Sequence, residues 1–393
     1  MGNVLAPGGG ATEFRAAALV AGFPESTAVK SLNRQCSSGL QACVDVANAI
    51  SAGMIEVGVG AGVESMSSQY GPGAVTEFSE LLENHPEAKN CKVPMGVLSE
   101  KMAKERGIAR VDQDAFAAGS YQKALKAQRE GKFDAEIAEM NGVRWVDPKT
   151  DEEKTITVAR DDGIREGMTK ESLGKIKPAF AKDGSIHAGN ASQISDGAAA
   201  VLMMKRSTAT RLGQTIIGKF VASSVVGVKP LLMGIGPWKA IPVALSKAGI
   251  SKNDVDIYEI NEAFASQCLW CLRELGLDEK KVCRLRCERM YGTVPTDWAF
   301  SRSIPMVVRL LLAILWAAPA PDRSLRCSTN LEGRARRLVL RVCASALGWA
   351  WRPCGSRSEA RMPIGHFVRP IVYSIQQTNI FLRRQSRSGW TVP

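Results

Sequence analysis

Along the first 282 residues, apolar positions switch between a helical period and short, nearly continuous buried runs, the texture of an α/β protein. The Ala-rich stretch Thr12–Ala21 predicts a short helix closed by Gly22 and Pro24, Ala28–Leu32 a short strand, and Ser37–Ala52 a helix of small residues. Ile55–Gly60 reads as a buried strand ending in a Gly-rich turn, AGVESMSS. From Gly71 to His187 the chain changes to longer charged helices, Ser99–Arg106 and Asp112–Glu130 with Ser99 and Asp112 as N-caps, then a polar strand-like stretch, Trp145–Arg160, and a loop, Lys175–Gly184. This segment has the character of a mobile insertion over a site. Ala198–Met204 returns to a buried strand, Ile216–Val228 is β-rich, and Pro237–Ala248 is an amphipathic helix opened by proline. Val255–Ile260 is a strand feeding Asn261-Glu262-Ala263-Phe264. A strand ending in a polar turn before a helix thus occurs twice, which predicts two related α/β halves: residues 1–206, with an insertion at 71–187, and residues 207–282.

Charge divides the chain at the end of this pattern. The 393 residues carry a net +12, but from Cys283 onward there are eighteen Arg, no Lys and five acids, a net of +13, while residues 1–282 are close to neutral at −1. The same 111 residues hold five of the eight Trp and five of the ten Cys, and all twenty-two Lys lie before them. Basic balance of this size would point to nucleic acid or an acidic membrane; confined to a tail, it marks instead a second compositional unit beginning near Val282. Its Arg residues are scattered among Cys, Trp and Pro without a helical stripe or recognisable module, so nucleic-acid binding is not expected, and residues 283–393 read as an irregular, poorly folding tail. No secretory signal opens the sequence, and Ala6 stands where Gly2 myristoylation wants Ser or Thr. Leu310–Ala320, the longest apolar run, is about half of a bilayer span, so no membrane span is expected.

Cys36 is the best candidate for chemistry. It lies between strand and helix in NRQCSSGLQA, at a helix N-terminus where unpaired N–H groups and the helix dipole favour the thiolate that attacks carbonyls. Spacing alone favours a structural cysteine on a small-residue helix. Cys268-x-x-Cys271 and Cys283-x3-Cys287 have nearly zinc-ribbon spacing, but the first pair falls within a helix and the second straddles the compositional break, so no metal is expected.

The run NRQCSSGLQA, with AGNASQISDGAAA (Ala188–Ala200), VVGVKPLLMGIGP (Val225–Pro237) and INEAFA (Ile260–Ala265), resembles the thiolase family, most narrowly its peroxisomal 3-ketoacyl-CoA thiolases. The resemblance runs from Gly2 to Val282. It implies an α-β-α-β-α layered fold and a homodimer acting on CoA thioesters, as an acetyl-CoA C-acyltransferase of fatty-acid β-oxidation. No cofactor is implied, coenzyme A being a substrate. Cys36 matches the nucleophile that becomes an acyl thioester, and Asn261 the residue that holds an oxyanion-hole water. Arg165 and Ser192 match CoA-contacting positions, Met95 and Met233 line the pantetheine and acyl pocket, and Phe264 is a pocket aromatic. The implied compartment is the peroxisome, although the targeting segment is not seen and the cytoplasm is the alternative.

The tail departs from the resemblance. The family continues to a Gly-His-Pro motif, whose His deprotonates the nucleophile, and then to a Cys-x-Gly acid/base. After Val282 the one histidine is His366, in IGHFVR, and no cysteine is followed by x-Gly; His85 and His187 match neither motif. The front also lacks an opening strand, which predicts an uncovered sheet edge. The alternative expectation is therefore an inactive isoform that dimerises or binds CoA esters without completing the cycle.

Overall fold

The computed structural model describes residues 1–66, 77–147, 150–279 and 282 and two four-residue strands at 339–342 and 372–375. After helix α1 (Ala11–Val20), small residues build the first core. Helix α2 (Ser38–Ser51) buries Gly39, Ala42, Cys43 and Ala47, and strand β1 (Val57–Ser65) crosses it closely. A Cβ at Gly60 would stand 2.7 Å from the Cα of Cys43, so backbone meets backbone there. Helix Ser37–Ala52 is thus met within one residue at each end. The Gly-rich turn expected after Gly60 is instead strand: β1 pairs antiparallel with β4 (Asp196–Lys205) from Val57↔Met204 through Ser65↔Asp196. A ladder partner along its whole length holds AGVES extended, where local glycine preference alone favours a turn. Residues 1–3 run beside β1, with the Gly2 N–H donating to the Ala61 carbonyl at 2.7 Å and the Val63 N–H to the Gly2 carbonyl at 3.1 Å. They also supply what the expected strand Ala28–Leu32 finds by way of a partner, a single bridge from Leu32 to Gly2.

The insertion holds, among its described residues, a hairpin, β2 (Met140–Val146) with β3 (Glu153–Val158), two short helices, Glu80–Asn84 and Lys170–Gly174, and two longer ones. Helix α3 (Met95–Glu105) starts four residues before Ser99. Ser99 is no cap but is buried at 2% exposure, because the first turn is anchored by Gly96 against the Phe180 ring and by Leu98 in the core. Helix α4 (Arg110–Arg129) is preceded by Ala109; Asp112 lies in its first turn, its carboxylate paired with Arg273 at 2.9 Å.

Ile216–Val228 forms no strand. Its apolar residues serve two cores instead, Ile217 and Phe220 packing on the α2/β1/β4 cluster and Val221 and Val226 on the next. That second core joins helix α5 (Gly236–Ala248), β5 (Ile257–Ile260) and helix α6 (Ala265–Leu275). The tail, expected to be irregular, supplies two parallel edge strands: β6 (Val339–Val342) on β5 and β7 (Val372–Ile375) on β4. Leu310–Ala320, His366 and the Cys283/Cys287 pair lie outside the described residues. Among the described residues, no helix is long and apolar enough to cross a membrane.

The close crossing of α2 and β1 makes two glycine substitutions differ in sign. Gly60→Ala has no room for its methyl and should lower stability by about 1–3 kcal/mol. Gly119, inside α4 with nothing within 4 Å of an added Cβ, should gain about 0.5–1 kcal/mol as alanine. Urea melts of both variants test this; equal midpoints for the two would refute the packing.

Candidate active site

Cys36 sits two residues before α2 on a turn that is strained and tightly bound. Gln35 has φ +49°, an uncommon left-handed conformation for a side chain without special tolerance. Hydrogen bonds hold it there: the Gln35 N–H donates to Asn33 Oδ1 at 2.8 Å, Ser38 Oγ donates to the Gln35 carbonyl at 2.6 Å, and the Arg34 N–H donates to Ser38 Oγ at 2.9 Å. This turn aims Cys36 into the protein, where it is 8% exposed. Burial works against the expected helix-end activation of the thiol there. Burial pushes it from 9.0 up to about 12, a backbone hydrogen bond pulls it down by less, and the carboxylate of Glu64 adds to the rise. Glu64 is itself buried and accepts from Asn3 Nδ2 and from the N–H groups of Val4 and Leu5. Cys36 at rest is therefore a thiol.

Several of the other predicted residues gather in one cluster drawn from both α/β halves. Met95, Met233 and Phe264 share one apolar cluster with Leu98, Ile186 and Ala263, and Phe180 meets Phe264 edge-on at 6.2 Å. Ser192 joins them through the backbone: its N–H donates to the Ala263 carbonyl, and the Ala265 N–H donates to the Asn190 carbonyl, both at 2.9 Å. Segments 190–192 and 263–265 thus pair antiparallel about Ala191↔Phe264. Asn261 closes β5 with its Oδ1 buried and without a hydrogen-bond partner among the described residues. Arg165 is exposed on a loop whose Asp162 carbonyl accepts from Gln193 Nε2 at 3.4 Å, next to Ser192. Cys36 itself lies within electrostatic reach of Glu64.

Sequence reasoning missed Gln35, Glu64, Phe180 and the carboxylates behind the pocket. Phe180, one large aromatic in a polar loop, was the signal available. Of the two described histidines, His85 is exposed and accepts at Nδ1 from the N–H groups of Glu87 and Ala88. His187 is fully buried against Asp114. Cys268 and Cys271, half of the zinc alternative, are buried inside α6, and the Cys271 thiol donates to the Gly234 carbonyl at 3.3 Å. Among the described residues no cluster of His, Cys, Asp or Glu is placed to hold a metal ion.

Residues 1–207 match the thiolase N-terminal domain and residues 214–285 the thiolase C-terminal domain. The chain belongs to the thiolase family and has its layered α/β fold. It is 59% identical over 281 residues to the peroxisomal 3-ketoacyl-CoA thiolase of Yarrowia lipolytica, covering 72% of this chain and 67% of that protein. It is 51% identical over 285 residues to peroxisomal 3-ketoacyl-CoA thiolase 2 of Arabidopsis thaliana, covering 72% and 61% respectively. The chain thus spans roughly two thirds of the curated relatives it matches. The dimeric peroxisomal thiolase of Saccharomyces cerevisiae superposes with a TM-score of 0.68 at 44% identity, over 78% of this chain and 73% of that one.

Two titrations follow from the site. Iodoacetamide labelling of Cys36, read by peptide mass, should quicken about tenfold per pH unit up to the thiol value of about 12; a plateau near neutrality would show a thiolate held by other means. His187, facing Asp114, Arg110 and Glu100, is lowered from 6.5, chiefly by burial. The unfolded chain then takes up a proton before the folded one does, so stability is full above about pH 6.5 and falls as pH drops below it. Urea midpoints at about pH 7.5 and about pH 5.5 should differ more for the wild type than for His187→Gln; equal differences would exclude His187 as the cause.

Proposed function

We propose that the chain is an acetyl-CoA C-acyltransferase that cleaves 3-ketoacyl-CoA with CoA, in fatty-acid β-oxidation. The observation that carries this reading is the buried Cys36 on its left-handed turn, within a family match that spans both thiolase domains. The Cys36 sulfur adds to the 3-keto carbon, and the C2–C3 bond breaks. The acyl group stays on sulfur as a thioester, and the departing acetyl-CoA carbanion takes a proton. The thiol of CoA then attacks the thioester, releasing the shortened acyl-CoA and restoring the Cys36 thiol.

Asn261 suits the oxyanion role: its unpartnered Oδ1 can accept from a water whose other hydrogen points at a thioester oxygen, in a site dry enough for that bond to count. Ser192 would meet the pantetheine amide and exposed Arg165 the nucleotide phosphates, while Met95, Met233 and Phe264 form the adaptable apolar wall. We place the domain boundaries at 206 and 282 and the CoA-binding insertion at 71–187. A homodimer is supported by the dimeric yeast neighbour, and a peroxisomal setting by the names of the relatives.

The second reading is binding of CoA esters without turnover. The Cys36 thiol needs a base, and both described histidines are engaged elsewhere. One experiment separates the two. The purified chain is mixed with a 3-ketoacyl-CoA, with and without CoA, and followed by substrate loss and intact mass. Expected are an acyl adduct on Cys36 and CoA-dependent cleavage, both reduced by about three orders of magnitude or more in Cys36→Ser. An adduct without cleavage selects the second reading; neither adduct nor binding overturns both.

A further inference from the structure

The residue just before the Ala188–Ser192 segment has no part in the reading so far. His187 is fully buried, and its two ring nitrogens are both used. Nδ1 accepts from the Gly189 N–H at 3.1 Å, so the ring proton sits on Nε2, which donates to Asp114 Oδ1 at 2.8 Å. The same oxygen accepts from Asn190 Nδ2 at 3.0 Å, and Asn190 Oδ1 accepts from the His187 N–H at 2.9 Å. Asn190 also donates to the Ser185 carbonyl at 2.9 Å. A closed ring of three hydrogen bonds, braced by the local Gly189 bond, therefore fixes residues 187–190 to one carboxylate on α4.

That carboxylate is anchored in turn. Arg110 pairs with Asp114 at 3.4 Å and also donates to the carbonyls of Leu173, Gly174 and Ile176. Glu100 of α3 takes the N–H groups of Ser185 and Ile186 at 2.9 and 2.7 Å. Two turns along α4 from Asp114, Ser120 donates to the Glu262 carboxylate at 2.7 Å. Helix α4 thus grips both partners of the Ala191↔Phe264 pairing, one through His187 and Asp114, the other through Ser120.

We propose that His187, acting through Asp114 and Asn190, is a positioning residue that sets the Ser192 and Phe264 wall for the CoA thioester. It touches no reacting atom, and its substrate-facing consequence rests on the acyltransferase reading. The bond that matters is the one to Asp114, one of the two by which the segment reaches this carboxylate on α4, the other coming from Asn190; the Gly189 bond is local. Side-chain amides separate the two, because a glutamine amide reaches the Nε2 position and an asparagine amide only the Nδ1 position. His187→Gln therefore keeps the Asp114 link, whereas His187→Asn keeps only the Gly189 link.

The full chain carrying each substitution, and His187→Leu, is compared with the wild type by steady-state thiolysis, by CoA-ester binding and by amide hydrogen exchange of residues 190–192 and 263–265. His187→Asn and His187→Leu should raise KM and Kd by about tenfold, what one buried hydrogen bond to a charged acceptor is worth, with kcat changed by less than about threefold. Both should lose exchange protection in the two segments together. His187→Gln should stay within about threefold of the wild type in every readout. Equal behaviour of the Asn and Gln variants, or an unchanged KM and Kd in a folded Asn variant, overturns the proposal, and this pair decides the matter if the leucine variant does not fold. Loss of thiolysis and binding in the wild type would sink the acyltransferase reading alone, because paired loss of exchange protection in the Asn variant and its retention in the Gln variant still test the positioning.

Discussion

The pocket wall depends on the antiparallel pairing of residues 190–192 with 263–265, one segment from each thiolase domain. Its two backbone bonds, Ser192 to Ala263 and Ala265 to Asn190, are worth only about 0.5–1.5 kcal/mol each in net terms, too little to fix a wall by themselves. What makes the pairing firm is that each partner is tied to α4 by a buried carboxylate bond, Asp114 to His187 and Asn190 on one side, Glu262 to Ser120 on the other. Met233, Met95 and Phe180 then pack on Phe264 as on a surface already set. Remove the polar ties and the apolar cluster retains attraction but loses its register, since dispersion and burial carry no direction.

The nucleophile half answers to a different constraint. Raising the Cys36 thiol from 9.0 to about 12 corresponds to about 4 kcal/mol against ionisation. A helix N-terminus returns at most about 2 kcal/mol even in a favourable buried geometry. The dipole of α2 falls short of generating the thiolate by itself at neutral pH, so a base has to take the proton before or during attack. Burial that hinders the resting thiol also keeps water from a thioester once formed, which is the condition under which oxyanion hydrogen bonds are strongest.

What could be read from the sequence follows the range of the forces involved. The helix at Ser37–Ala52 and the strand at Val255–Ile260 are written locally, in small-residue and β-branched patterns, and both exist within a residue or two. The four family runs placed Cys36, Ser192, Met233 and Phe264 in context, and the structure gathers Ser192, Met95, Met233 and Phe264 on one wall. The failures are nonlocal. Strand β1 runs on through AGVES because its partner lies more than a hundred residues later. Ser99 looked like a cap because nothing nearby says that Pro94 and the Phe180 ring fix the helix start. His187 looked idle because its meaning is Asp114, 73 positions earlier.

The tail reverses the usual relation between sequence and role. Its charge of +13 marked it as a separate, irregular unit, yet its two described segments are Val-Leu-Arg-Val and Val-Tyr-Ser-Ile, rich in residues that favour strands. Each adds in parallel to a strand of the thiolase core, β6 to β5 and β7 to β4. Strand addition is carried by main-chain hydrogen bonds, which every non-proline residue offers, with side chains only adjusting the fit. An uncovered sheet edge is correspondingly undemanding, accepting four extended residues of suitable branching whatever their history. Catalysis has no such tolerance, because a base must present one nitrogen at one place. A tail unlike the family's own can therefore satisfy the sheets and still leave the proton on Cys36 as the central chemical question.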